Sequence, residues 1–208
     1  MTQQKMTTPK IDSVIFDIGK VLVDFNPPRF LKTITPDEQL RALFRSIIFL
    51  SPAWAEADRG LASDEETLSQ FIQAAPEHEE TIRYIYEHSG EIIIQFPYAV
   101  PWVQELQERG FRVYALSNYS RHLYDRSVQK MEFLSHMDGV VFSWQCHSIK
   151  PEEEIYRCLF RQYQIDPSRA VFLDDNLQNI EKARELGMQG IMFTGYDSAK
   201  KQLDSLLR

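Results

Sequence analysis

Five short apolar runs, at 14–16, 113–116, 140–142, 171–173 and 191–193, constrain this chain more than any other feature. Each is rich in β-branched or aromatic residues and lacks polar alternation, as strands covered by helices on both faces of a parallel sheet must be. Between them lie helix-like stretches at 100–109, 120–130, 152–162 and 177–186. Gly110 and Gly187 follow two of these, where a C-terminal cap would sit. The alternation predicts an open α/β sheet with helices on both faces. From about 27 to 96 the pattern changes. Leu40, Leu43, Phe44 and Ile47, then Ile82, Ile85 and Tyr86, recur at helical spacing, with no convincing strand alternation. A helical insertion straight after the first strand reads as a cap over a sheet edge; helices that merely complete the core are the other reading.

The polar residues fall where such a sheet binds ligands, at the carboxyl ends of its strands. Asp17 ends the first run, Ser117 and Asn118 a second, and Asp174 and Asp175 a third, while Lys150 precedes Pro151 at the entrance to a helix. Carboxylates gathered at one edge repel one another and need a cation to stay ionised. Oxygen donors with no His or Cys cluster nearby favour Mg²⁺. Metal-bridged carboxylates beside a hydroxyl and a lysine suit a phosphoryl group, whose charge the cations offset while one carboxylate attacks phosphorus. Singly, each residue also has an ordinary reading. Asp17, Ser117 and Asn118 are common turn formers, Lys150 could be a solvated helix-start residue, and Asp174-Asp175-Asn176 could cap a helix.

Four local sequences then become recognisable: FDIGKVLVD at 16–24, LSN at 116–118, KP at 150–151 and FLDDN at 172–176. Their order and spacing resemble the motifs of the haloacid-dehalogenase superfamily across nearly the whole chain. The resemblance implies a Rossmann-like, doubly wound, mainly parallel sheet, with residues 1–26 and 97–208 as the hydrolase core and 27–96 as a small helical cap. It implies a phosphatase with Asp17 as nucleophile. Mg²⁺ would bind Asp17, the backbone carbonyl of Gly19, and Asp175 with Asp174 nearby. Ser117 and Asn118 would hold phosphate oxygens, and Lys150 would steady the nucleophile and the transferring group.

One position departs from that pattern. Most phosphatases of the superfamily carry a second Asp two residues after the nucleophile as general acid and base, and Gly19 stands there. Three answers are open: a substrate with a good leaving group, a proton donor from the cap (Asp58 or Asp64), or a weak or degenerate relative that only binds a phospho-metabolite. FDIGKVLVD and Asp58-Arg59-Gly60 look like the subgroup that includes bacterial glucose-1-phosphate phosphatases, with Lys20 where that group has Asn. Dehalogenation at carbon ranks below phosphatase chemistry, because it needs no metal to gather the acids at 174 and 175. Phospho-acceptor receiver domains share the triad but lack the cap.

Charge narrows the partners. A formal net charge of −7 argues against nucleic acid or an anionic membrane, leaving a small phosphorylated metabolite as the expected ligand. Cys146 and Cys158 lack metal or CxxC spacing and read as reduced thiols. The N-terminal MTQQKMTTPK lacks the apolar stretch of a signal peptide, which makes the expected location cytoplasmic. The oligomeric expectation is a monomer or homodimer.

Overall fold

The computed structural model of the protein describes residues 10–207; the start read above for a signal sequence lies, but for its last residue, outside them. The chain opens with β1 (Ser13–Phe16), buried at every position, and turns into β2 (Val23–Phe25). A helical insert follows, with α1 (Pro27–Ile34), α2 (Glu38–Phe44), α3 (Pro52–Arg59), α4 (Asp64–Ala74) and α5 (Glu79–Glu87). It closes at β3 (Ile93–Gln95). Thereafter strands and helices alternate: α6 (Ala99–Glu108), β4 (Arg112–Ser117), α7 (Arg121–Ser127), β5 (Gly139–Phe142), α8 (Ser143–Cys146) and α9 (Glu153–Tyr163). The chain ends with β6 (Ala170–Asp174), α10 (Leu177–Glu185), β7 (Gln189–Met192) and α11 (Tyr196–Leu206).

Five strands form one parallel sheet in the order β5-β4-β1-β6-β7. β1 lies at its centre, with Val14 level with Val113 on one side and Val171 on the other. The strand order therefore reverses at β1, and the crevice at its carboxyl end is where such sheets take ligands. One face carries Phe16, whose ring meets Trp102 of α6 edge-on at 4.7 Å. The other carries Ile15, Leu116 and Phe172, covered by Tyr156 and Leu159 of α9. The insert packs a third apolar cluster largely from its own residues, including Phe30, Phe44, Phe71, Ile82 and Ile85. Gly110 and Gly187 take positive φ (86° and 98°) just past α6 and α10, as their helix-ending positions require.

The structure corrects three expectations. The last strand starts at Gln189 and ends at Met192, not 191–193, because β7 is an edge strand whose first residue, Gln189, is exposed and so carries no apolar signal. Segment 27–96 does contain a strand: Ile93–Gln95 pairs antiparallel with β2, each strand being three residues, too short for alternation to show. Cys146 and Cys158 are joined as a disulfide rather than left as free thiols. No sequence spacing announces the pair; packing of α8 against α9 brings their Cα atoms to 6.5 Å. Among the described residues, no helix is long and apolar enough to cross a membrane.

Several side-chain contacts tie the insert to the sheet's helices, among them one on α7 and one at the end of α3. On α7, the buried ring of His122 places Nδ1 2.9 Å from Asp64 Oδ2 and Nε2 2.9 Å from the Tyr86 carbonyl oxygen, and stacks on the Tyr86 ring at 3.6 Å. At the far end of α3, Arg59 donates to both carboxylate oxygens of Glu152, at 2.7 and 2.5 Å. His122→Ala is expected to cost about 1–3 kcal/mol, because it strips two hydrogen bonds and leaves a buried carbonyl unpaired. Urea unfolding measures the loss, and amide exchange in α4 and α5 should rise first; unchanged exchange there would show that the tie does not hold the insert.

Candidate active site

The carboxyl ends of β1, β4 and β6 converge on one cavity of about 190 Å³. Asp17, Gly19, Ser117, Asn118, Lys150 and Asp175 line it, and Asp174 lies fully buried beside them. β1 delivers Asp17 by extending the ladder one residue, with Asp17 N donating to Leu173 O at 2.8 Å. The chain then wraps around Ile18, whose carbonyl accepts from the N–H groups of Val21, Leu22 and Val23. Ile18, Val21 and Leu22 are all fully buried, so the loop carrying the carboxylate is fixed by packing as well as by hydrogen bonds.

Lys150 is the centre of the site. It is 5% exposed, and its Nζ lies 2.8 Å from Asp17 Oδ1 and 2.7 Å from Asp174 Oδ2. Burial works against its ammonium, but Asp17 and Asp174 outweigh that and hold the amine protonated, its pKa raised. For Asp17, burial pushes the carboxyl upward against the pull of Lys150, and the negative charges of Asp174 and Asp175 push the same way. A site built this way favours an added cation. Asp174 is held from all sides: Oδ1 accepts from Asn176 N at 2.7 Å, and both oxygens accept from Asn179 Nδ2 at 3.0 Å.

The structure refines the other expected residues. Asn118 spends its side chain on Lys150, with Oδ1 accepting from Lys150 N at 2.7 Å and Nδ2 donating to Lys150 O at 3.1 Å. It thus fixes the lysine's backbone while lining the cavity. Ser117, 2% exposed, makes only a long 3.5 Å contact to Asn118 O, leaving its hydroxyl available to a ligand. Lys20 reaches Asp175 Oδ2 at 3.0 Å from a left-handed backbone (φ 58°), an uncommon conformation for a lysine. Of the two acids considered for the insert, Asp58 lines the cavity; Asp64 instead bonds His122 and Tyr86, outside its walls.

Carboxylate oxygens of Asp17, Asp174 and Asp175 lie within 4.8 Å of one another, close enough to share a cation. Asn179, which also lines the cavity, has its Oδ1 buried with no partner among the described residues. An all-oxygen set fits Mg²⁺. Asn179 was not singled out from the sequence; the available signal was an amide in the first turn of α10, five residues after Asp174. The apolar roof (Phe25, Trp54, Ile93 and Leu123) comes from four separate elements, so no local pattern marks it.

Residues 11–187 match the haloacid dehalogenase-like hydrolase family, and the chain belongs to it. Drimenol cyclase drtB of Aspergillus calidoustus is 23% identical over 94% of this chain, which spans 36% of that relative's length. Sesquiterpene phosphatase astK of Aspergillus oryzae is 22% identical over 88% of this chain and 89% of its own. Among solved structures, the family enzyme bt-2542 from Bacteroides thetaiotaomicron, in complex with magnesium and inorganic phosphate, superposes with a TM-score of 0.72 at 20% identity, covering 92% of this chain and 98% of that one.

Lys150→Ala would leave Asp17 and Asp174 buried without their counter-charge, and removing one partner of a buried ion pair costs roughly 3–5 kcal/mol. Denaturant unfolding at neutral pH, in the absence of divalent cations, should show that loss. A change below 1 kcal/mol, by order of magnitude, would mean that water already screens the three groups.

Proposed function

We propose that the protein is a Mg²⁺-dependent phosphomonoesterase that cleaves a small phosphorylated metabolite through an aspartyl-phosphate on Asp17. The observation that carries this reading is the buried Lys150 ammonium bridging Asp17 and Asp174, with Asp175 alongside. Such an array holds one carboxylate in place as nucleophile and meets the charge of a phosphoryl group with cations. The bound magnesium and phosphate of bt-2542, and the phosphatase activity named for astK, support it.

In this mechanism an oxygen of Asp17 attacks phosphorus while the bond to the leaving oxygen breaks, and water then cleaves the aspartyl-phosphate. Lys150 orients Asp17 and offsets charge on the transferring group. Ser117 donates to a phosphoryl oxygen, and Asn118 fixes the Lys150 backbone beneath it. Mg²⁺, when bound, would be held by Asp17, Asp175 and the Gly19 carbonyl, and supplies positive charge to the phosphoryl oxygens. Asp174 adds negative charge behind the metal and orients Lys150, since Lys150, Asn176 and Asn179 already occupy its oxygens. Residues 1–26 and 97–208 act as the hydrolase core, and 27–96 as a cap that roofs the cavity. A cavity of about 190 Å³ under Phe25, Trp54, Ile93 and Leu123 favours a compact leaving group with an apolar face. Anomeric sugar phosphates qualify, in keeping with the finer likeness carried by FDIGKVLVD and Asp58-Arg59-Gly60.

Phosphate release from a panel of anomeric sugar phosphates, their 6-phosphate isomers and aryl phosphates tests this reading. Turnover should need Mg²⁺, vanish with a chelator, and fall by at least roughly 10³-fold in Asp17→Asn, as expected on losing a nucleophile. Activity that survives chelation and acts on 2-haloacids would replace the phosphatase with a dehalogenase.

A further inference from the structure

Gly19 leaves the family's usual proton donor missing, and nothing in the fold forces that glycine. Its φ is not in the left-handed region, and no atom lies within 4 Å of where a side chain at 19 would begin. Position 19 therefore has room for an acid but carries none, and a proton donor must come from elsewhere if the leaving group is to be protonated.

The last turn of α3 brings Asp58 into the lining of the same cavity. Its side chain is 9% exposed, and Oδ1 has no hydrogen-bond partner among the described residues. A buried carboxyl with an idle oxygen costs stability, so its place in the lining of this cavity asks for a reason. The backbone around it is clamped. The Asp58 carbonyl accepts from Ser143 Oγ at 2.5 Å, and the same hydroxyl accepts from Tyr119 N at 2.9 Å, directly after the Ser117-Asn118 pair. Arg59 grips Glu152, two residues past Lys150. Gly60 turns away at φ 69°, so close to Trp144 that a side chain there would begin 2.8 Å from the Trp144 carbonyl oxygen. Each residue of Asp58-Arg59-Gly60 is thus used to seat the first of them over the site.

We propose that Asp58, supplied by the helical insert, is the general acid and base of the reaction, standing in for the acid absent at Gly19. This rests on the phosphatase reading above. In the first step Asp17 oxygen bonds to phosphorus, the bond from phosphorus to the leaving oxygen breaks, and the Asp58 proton passes to that oxygen. In the second, the Asp58 carboxylate takes a proton from the water that attacks phosphorus. Inorganic phosphate leaves, the bond to Asp17 opens, and both carboxyl groups return to their starting states. Burial pushes the Asp58 carboxyl up to about 8, against a smaller opposing effect of the Ser120 backbone, so it carries its proton at neutral pH. The other titratable groups lining the cavity are Asp17, Lys20, Tyr119, Lys150 and Asp175.

The test compares kcat/KM for p-nitrophenyl phosphate, whose leaving group departs without a proton, with phenyl phosphate, which has the same ring but a basic leaving oxygen. Because kcat/KM reports only the steps through leaving-group departure, slow breakdown of the aspartyl-phosphate does not confuse it. Asp58→Asn keeps the shape and removes the proton. It should lower kcat/KM for phenyl phosphate by roughly 10²–10⁴-fold while changing that for p-nitrophenyl phosphate by no more than about threefold. Equal losses on both substrates, or no loss on either, would overturn the assignment. Should Asp58→Asn not fold, the unaltered enzyme decides: across substituted phenyl phosphates its rate should depend weakly on leaving-group basicity, and a steep dependence would rule out protonation by any acid. An unaltered enzyme inert to both esters, with Mg²⁺ present, removes the phosphatase reading itself, a result distinct from a failure of Asp58 alone.

Discussion

The site turns on one buried ammonium. Lys150 sits nearly out of water between Asp17 and Asp174, and each member of the trio would be costly to bury alone. Much of the surrounding structure serves to keep them together. β1 and β6 lie side by side and deliver the two aspartates from adjacent strands, with Phe16 level with Leu173. Asn118, from the end of β4, clasps the Lys150 backbone from the other flank. Asn179, from the first turn of α10, completes the shell around Asp174. Four strand or helix ends thus meet on one charge balance, and the sheet order that reverses at β1 makes the meeting possible.

The contacts between the insert and the rest of the protein differ in what they bear on. His122, which is not in the cavity's lining, fastens α4 and α5 to α7 and so bears on how the insert docks. Arg59, Gly60 and the Asp58 carbonyl fasten the end of α3 to the segment around Lys150 and to α8. Those contacts reach the segments that carry Lys150 and Asn118. An acid carried on that end of α3 would be positioned by the same contacts that position the lysine, so the roof and the floor of the cavity share one framework.

Much of this was legible in the sequence because the relevant signals are local. Apolar runs located the central strands, and polar residues at the ends of those runs located Asp17, Ser117, Asp174 and Asp175. What stayed hidden depends on contacts between distant segments. β7 was displaced because an edge strand needs fewer apolar residues, and β2 and β3 are too short to carry a period. The Cys146–Cys158 pairing and the four-element apolar roof leave no trace in local pattern. Asn118 shows the subtler case, its identity readable as part of the site while its use, holding the Lys150 backbone, was not.

The sequence by itself determined the α/β class, the insertion after the first strand, and the set of charged and polar residues at the sheet's carboxyl edge. Strand burial and helical periodicity act over a few neighbours, which is why they can be read along the chain. Only the tertiary structure decided which of Asp58 and Asp64 lines the cavity, two acids six positions apart with no local feature to rank them. The physical reason is burial. Packing of α3 against α8 places Asp58 in the cavity wall with an unpaired oxygen, whereas Asp64, at the start of α4, finds a partner in His122, 58 residues farther along the chain.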